Sequence, residues 1–197
     1  MREGPGADYP TLGQVARDDV LDVVGRDQQC AWLQVITPDG LTGWVSGDAR
    51  DVALQLDCYT LPRGAFRPPT GIVLPNAGSA GLGELTVNND LGTGDGLAVL
   101  TRSGQPVLAA YVRNKERFTL TGISDGRYEL YFSLGVDWDG RRFTREPSYA
   151  RFEEAFVFET TSTTYTTFDV TLYGVAGGTA STPSVPEDEF PVIGEGE

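Results

Sequence analysis

Turn residues set the limits on what this chain can build. Twenty-five glycines and twelve prolines are spread over 197 residues, so turns interrupt the chain often and leave room mainly for short strands. In residues 1–60 the runs between turns are β-branched and aromatic. They are Val20-Leu21-Asp22-Val23-Val24-Gly25, Trp32-Leu33-Gln34-Val35-Ile36 and, after a Pro38-Asp39-Gly40 turn, Thr42-Gly43-Trp44-Val45. Strands so short, joined by turns so tight, predict a small barrel. From residue 83 to about 175 the alternation returns in Leu85 and Val87, Leu97 to Leu100, Val107 to Val112, Phe118 to Leu120, Tyr128 to Leu134, Phe156 to Phe158 and Tyr165 to Tyr173. Roughly seven strands with regular turn signals predict an antiparallel β-sandwich. The fold class is therefore all-β, with a small barrel at 1–60, a Pro/Gly linker at 61–82, a sandwich at 83–175 and a flexible acidic tail at 176–197.

Charge and residue inventory narrow the function. Twenty-eight acids against fifteen bases give a formal charge of −13, and such a surface repels phosphate backbones and anionic headgroups. Nucleic acid is excluded as a partner, and so is membrane insertion, since no run approaches the roughly 18 to 20 apolar residues of a spanning helix. No charged start followed by an apolar run marks a signal peptide, and the chain is read as soluble. The sequence holds no histidine. That removes Ser-His-Asp and Cys-His nucleophilic sites, His-ligated zinc and the usual proton shuttle at neutral pH, so no catalytic residue is assigned and the chain is read as a non-enzyme.

Cys30 and Cys58 stand 28 positions apart and supply no zinc or iron–sulfur ligand cluster. Either they are two free buried thiols or they pair. A bridge across such a loop contributes about 3–4 kcal/mol, useful to a barrel of about 60 residues, and an extracellular setting favours the disulfide.

Three motifs give the barrel a relative. Arg2-Glu3-Gly4-Pro5-Gly6 with Tyr9-Pro10, Trp32-Leu33-Gln34-Val35, and Gly43-Trp44-Val45-Ser46 closely resemble the N-x-R-x-G-P-G-x-x-Y opening and the W-x-x-V and G-W-V strands of bacterial SH3 (SH3b) domains. The resemblance covers about a third of the chain. It implies an SH3-like barrel whose aromatic groove, here Tyr9, Trp32 and Trp44, takes a cell-wall peptide or glycan. Against that, so small a barrel needs its tryptophans for the core, which is the reading favoured for Trp32 and Trp44, with Tyr9 open. Asp18 stands where the family has a turn glycine, so that loop is expected to differ. Met1 falls in what looks like the middle of the family's first strand. Either an upstream segment has been removed, or the incomplete edge is completed by a strand from a neighbouring chain.

Phe118-Thr119-Leu120-Thr121-Gly122-Ile123-Ser124-Asp125-Gly126-Arg127-Tyr128-Glu129-Leu130 resembles a hairpin of carboxypeptidase-regulatory or transthyretin-like sandwiches, in which the glycine turns the chain and the tyrosine packs back on the sheet. With Gly135 to Gly140, Phe143, Tyr149, Phe152 and Phe158, the region is similar to an uncharacterised bacterial β-domain found beside zinc-ribbon, SH3b or repeat modules. That resemblance implies an accessory, non-enzymatic role.

The remaining candidates are weaker. Asp137 and Asp139 followed by Gly140 suggest a calcium loop, yet Arg141 and Arg142 follow where further acidic ligands belong, so a solvated turn with Asp–Arg pairing is favoured and no other cofactor is expected. The threonine-rich run at 160–167 is a solvent-facing strand or a site of O-glycosylation. Carboxylate pairs such as Glu153-Glu154 and Glu187-Asp188-Glu189 lack the deep cleft that glycosidase chemistry requires. In the tail, Phe190, Val192 and Ile193 form an apolar island, either spacer or a strand that docks elsewhere. Two functions follow. One is an extracellular or cell-surface structural protein that self-associates, or joins other surface proteins, through inter-chain β contacts and the Phe190 island. The other is a peptidoglycan-binding module acting through the SH3b groove.

Overall fold

The computed structural model describes residues 1–75, 81–173 and 180–193, and among these the chain is all-β apart from two short 3-10 turns. It divides into two compact units, Met1–Pro68 with Asp137–Thr144, and Pro69–Val136 with Arg145–Glu197.

The first unit is built on an antiparallel meander of β1 (Asp22–Arg26), β2 (Trp32–Ile36) and β3 (Thr42–Ser46). Residues alternate between the two faces of a strand. Leu33, Val35 and Val45 therefore share one face and form a small core, against which Met1, Val15, Leu21, Val23, Val52, Leu54, Cys58 and Leu61 pack. Trp32, Gln34 and Trp44 take the opposite face, because Gln34 pairs with Trp44 and Trp32 with Ser46. Cys30 and Cys58 form a disulfide with their Cα atoms 6.1 Å apart. It ties the β1–β2 connection to a 3-10 turn, Cys58–Thr60, whose Tyr59 N–H donates to the Asp57 carboxylate at 3.0 Å. Asp18 adopts a φ of +71°, the left-handed conformation that a turn glycine would supply and that aspartate tolerates better than most residues. The loop expected to differ thus keeps the glycine-like backbone conformation at this position.

The second unit has two sheets around one core. The larger runs β10-β9-β6-β7-β4, with β11 also on β9; the smaller is β12-β5-β8. The strands are β4 (Gly71–Leu74), β5 (Gly83–Asn88), β6 (Asp95–Arg102), β7 (Gln105–Val112), β8 (Arg117–Ile123), β9 (Gly126–Trp138), β10 (Phe143–Arg151), β11 (Phe156–Phe158) and β12 (Thr167–Thr171). Leu85, Val87, Leu120, Ile123 and Val170 from the small sheet meet Ala98, Leu100, Leu108, Ala110, Val112, Leu130 and Phe132 from the large one. Edge-on pairs such as Tyr128 with Phe158, 5.6 Å between centroids, fill the space between the sheets. β12 runs parallel to β5, whereas β8 runs antiparallel to it.

Three features depart from the sequence reading. The stretch 61–82, read as linker, contains β4, which pairs antiparallel with β7 and gives Ile72-Val73-Leu74 its place; residues 76–80 lie outside the described residues. The segment 118–130 is not a hairpin: β8 and β9 lie in different sheets. The chain turns a corner there, with Gly126 at φ +150°, so that Leu120 and Tyr128 reach the same core from opposite layers. The Tyr128 hydroxyl donates back to the Ser124 carbonyl at 2.9 Å and fastens the corner.

The third departure is the tail, whose residues 176–179 and 194–197 lie outside the described residues. Residues 181–185 run beside the edge strand β10. The N–H groups of Arg151 and Glu153 donate to the carbonyls of Pro183 and Ser181 at 3.1 and 2.9 Å, and that of Val185 to Tyr149 at 3.0 Å. Phe190 then stands edge-on to Tyr131, 6.2 Å between centroids, and tilted on Tyr149 at 5.1 Å, while Ile193 is buried. β6 is buried from Asp95 to Thr101 without alternation, the pattern of a strand covered on both faces.

We expect Phe190→Ala to lower unfolding stability by about 2 kcal/mol through lost aromatic packing, read as a lower midpoint in urea. Reducing the disulfide should lower the stability of the first unit by about 3–4 kcal/mol, the loop-closure value for this spacing, and calorimetry with and without reductant checks it.

Candidate functional site

The Trp44 face of the first unit is where its outward side chains gather. Trp44 is 1% exposed although it does not belong to the Leu33 core. What covers it is the segment 62–66. The Arg26 N–H donates to the Pro62 carbonyl at 3.0 Å and the Gly64 N–H to the Arg26 carbonyl at 2.9 Å, so Arg26 and Arg63 form a parallel bridge. The Gln34 amide donates to the Ala65 carbonyl at 2.9 Å. Gly64 crosses directly over the indole: a Cβ there would stand 2.7 Å from Trp44 Cη2, closer than van der Waals contact allows, so only glycine fits without displacement.

Phe66 continues this cover. Its ring meets Trp44 edge-on at 6.0 Å and Tyr9 edge-on at 6.1 Å, and its N–H donates to the Trp138 carbonyl at 2.8 Å. Trp138 and Phe143, both buried and 5.2 Å apart, come from the Asp137–Thr144 excursion that belongs to this unit. Tyr9 lies over the opening turn, where a Cβ on Gly4 would fall 2.4 Å from its ring carbons. Arg2 Nη1 holds the turn closed by donating to the Tyr9 carbonyl at 3.1 Å and to Thr11 Oγ1 at 2.9 Å. The R-x-G-P-G-x-x-Y spacing is thus a turn in which the tyrosine ring replaces the missing side chains of the glycines.

Among the three aromatic residues proposed for ligand binding, Trp44 is core, whereas Tyr9 and Trp32 remain half-exposed. Trp32 opens β2, with its N–H bonded to the Asp27 carboxylate at 3.0 Å. The core placement expected of both tryptophans describes Trp44 alone. Arg26 and Arg63 pair where the covering segment crosses β1, and Arg141 and Arg142 lie in the excursion. Arg26 rests on the exposed ring of Tyr59, 5.1 Å from its centroid, and its Nη1 donates to the carbonyls of Asp27 and Gln28 at 2.9 and 3.2 Å. Burial, reinforced by the charge of Arg141, holds the Arg63 pKa below its ordinary value; Arg26 and Arg142 act in the same sense and Asp139 in the opposite one.

Asp139 serves the hairpin turn. Its Oδ1 accepts from the N–H groups of Arg141 and Arg142 at 2.8 and 2.9 Å, with Gly140 at φ +95°, while Asp137 is exposed at φ +60°. Among the described residues no group of three or more acids or cysteines is placed to hold a metal. The threonine run forms an exposed turn, with Thr161 Oγ1 accepting from the Thr163 and Thr164 N–H groups at 3.2 and 3.0 Å. Glu187–Glu189 form an exposed 3-10 turn. A concavity of about 700 Å³ in the second unit, which no sequence motif signals, is lined mainly by apolar side chains including Phe132, Phe152, Phe156 and Phe168, with Glu154 and Asp169 both solvent-exposed. Among the described residues no helix is long and apolar enough to cross a membrane.

Residues 1–49 match the family model of the bacterial SH3 domain. The N-terminal unit is SH3-like. No curated protein and no solved structure matches the chain. The matched span holds Arg2, Gly4, Tyr9, Trp32 and Trp44, but Arg63, Gly64 and Phe66, and the excursion carrying Trp138, Arg141 and Phe143, lie outside it. Sequence reasoning missed these residues because 61–66 reads as turn-rich linker and Trp138 as part of a distant sandwich. A glycine between Arg63 and Ala65, with Phe66 next, is a weak local signal for a segment that crosses a tryptophan.

We expect Gly64→Ala to destabilise the SH3-like unit by about 1–3 kcal/mol, the usual cost of overpacking, with tryptophan emission shifted to the red at a lower denaturant midpoint.

Proposed function

We propose that the chain is a non-catalytic binding module working outside the cytoplasm, in which the SH3-like unit docks cell-wall peptide or glycan and the second unit is an accessory β-domain. The observation that carries this reading is the bacterial SH3 match over residues 1–49, joined to the half-exposed aromatic rings Tyr9 and Trp32 on the unit that bears it. Aromatic faces suit sugar rings and apolar peptide groups, and their polar atoms still hydrogen-bond. The Cys30–Cys58 bridge supports an oxidising compartment. For the second unit, the transthyretin-like resemblance is supported by its two-layer core, although the 118–130 segment turns a corner instead of pairing with itself. Calcium has no part in this reading.

The assembly reading drew on the apolar island of the tail as a donor strand. Phe190 packs on Tyr131 and Tyr149 of its own unit, Ile193 is buried, and Val192 is the exposed member. With the island occupied in cis, cell-wall docking becomes the better supported of the two.

Co-sedimentation with purified peptidoglycan sacculi tests the proposal. The full chain should pellet with sacculi, and Trp32→Ala or Tyr9→Ala should weaken binding by about 1–3 kcal/mol, the range of an interface hot spot. A folded, monomeric protein that stays in the supernatant rejects docking. Ordered multimers that ignore sacculi would return the assembly reading.

A further inference from the structure

The two sheets of the second unit differ in width. The large one runs β10-β9-β6-β7-β4 on its main path and the small one only β12-β5-β8. The concavity of about 700 Å³ lies where the small sheet stops, between β12 and the β9 side of the large sheet, with residues 180–182 on the opposite rim. Phe132 and Phe152 face it from the large sheet, and Phe168, Val170 and Leu172 from the β12 segment. The rings are fixed against one another, Phe132 on Phe152 and Phe152 on Phe156 at 5.5 Å, and Phe156 on Phe168 at 4.9 Å between centroids. An occupant meets a preformed apolar surface.

Along β12 the lining is unbroken from Phe168 to Tyr173. Side chains alternate between the two faces of a strand, so a pocket under one face would touch every second residue. Contact with each residue in turn means that the concavity opens along the edge of the strand, over about 20 Å. Unpaired backbone lies on that edge. The Thr166 carbonyl accepts from the Glu84 N–H, and the Leu172 N–H donates to the Asn88 carbonyl, so the even-numbered residues of this parallel pair are the ones bonded to β5. Asp169 and Thr171 turn their N–H and C=O groups to the open side. Among the described residues β12 pairs with β5 alone, and it holds no proline that would block a further strand.

Charge selects the strand that fits. Glu154 and Asp169 are both exposed in the lining, and among the described residues no basic side chain joins them there. Asp169 alternates with Phe168 and Val170, so its carboxylate lies on the outward face of the small sheet, beside any outward side chain of a strand laid against β12. A second copy of this chain, at −13, brings like charge. We infer that the free edge of β12 is a docking site for an extended basic segment of a partner protein. The segment adds as a further strand, its apolar side chains alternating into the groove and its lysines or arginines facing outward beside Asp169. A slip of one residue would set the charges on the phenylalanine rings, which fixes the register. The site is independent of cell-wall docking by the SH3-like unit.

The probe is the peptide acetyl-KVKVKVK-amide, titrated into the full ¹⁵N-labelled chain, with acetyl-KKVVVKK-amide and acetyl-EVEVEVE-amide as controls. The alternating basic peptide should bind saturably and slow hydrogen exchange at the Asp169 and Thr171 N–H groups about tenfold or more, as expected of free amides that become paired, and the controls should not. Two forms of the peptide, N-methylated at the lysines or at the valines, should differ, because only one set of N–H groups faces β12. Thr171→Pro removes a donor that β5 does not use and should abolish binding in a folded chain. Should that variant unfold, Asp169→Lys on the exposed face is expected to weaken binding about threefold to tenfold by turning a cross-strand attraction into repulsion. Equal binding of the scrambled or the acidic peptide, equal effects of the two methylations, no protection at Asp169 and Thr171, or normal binding by a folded Thr171→Pro chain overturns strand addition. A chain that sediments as a dimer and becomes monomeric with Thr171→Pro assigns the edge to a second copy and overturns the basic partner.

Discussion

A tryptophan withdrawn from solvent on the outward face of a three-stranded sheet needs a cover, and the first unit is arranged around supplying it. Burying an indole removes 150–250 Å² from water, worth at most about 4–6 kcal/mol, a large share of what so small a unit can muster. Trp44 obtains its cover from residues 62–66, which cross the sheet through backbone bonds to Arg26 and a side-chain bond from Gln34. Phe66 closes the remaining side and joins Trp44 to Tyr9. The same crossing sets Arg63 beside Arg26.

Much of this was legible in the sequence, for definite reasons. The strands β1 to β3 and β5 to β9 announce themselves by β-branched runs between turn residues, and the sandwich core falls on the alternating positions expected of it. The R-x-G-P-G-x-x-Y opening reported its own geometry, since the glycines are dictated by the ring of Tyr9. Two strands escaped because their sequences lack the pattern. β4 is four residues long amid prolines and glycines, and β10 carries Arg145, Glu146, Pro147 and Ser148, all exposed. Proline and charge are how an edge strand avoids unwanted pairing, so the features that make β10 a good edge also disguise it as a loop.

The candidate site was legible in part. Tyr9, Trp32 and Trp44 are visible as aromatic residues in recognisable motifs, but nothing local says that Trp44 is enclosed while Trp32 is half-exposed; the segment 62–66 decides that. The pairing of Arg63 with Arg26 was equally hidden, because the two lie far apart in the chain and are brought together by backbone bonds. Likewise the aromatic island of the tail was visible, and its docking partners, Tyr131 and Tyr149, were not.

That excursion bears on the order in which the protein can be made. Residues Asp137–Thr144 count with the N-terminal unit, and Trp138 supplies the carbonyl that accepts the N–H of Phe66. A nascent chain leaving the ribosome holds the complete SH3-like motif long before it holds Trp138 and Phe143, so the first unit cannot be finished until residues 69–136 of the second have been made. The same discontinuity makes the two halves a single heritable block: gene fusion or shuffling at the apparent boundary after residue 68 would carry off an SH3 sequence without the turn that completes its aromatic cluster.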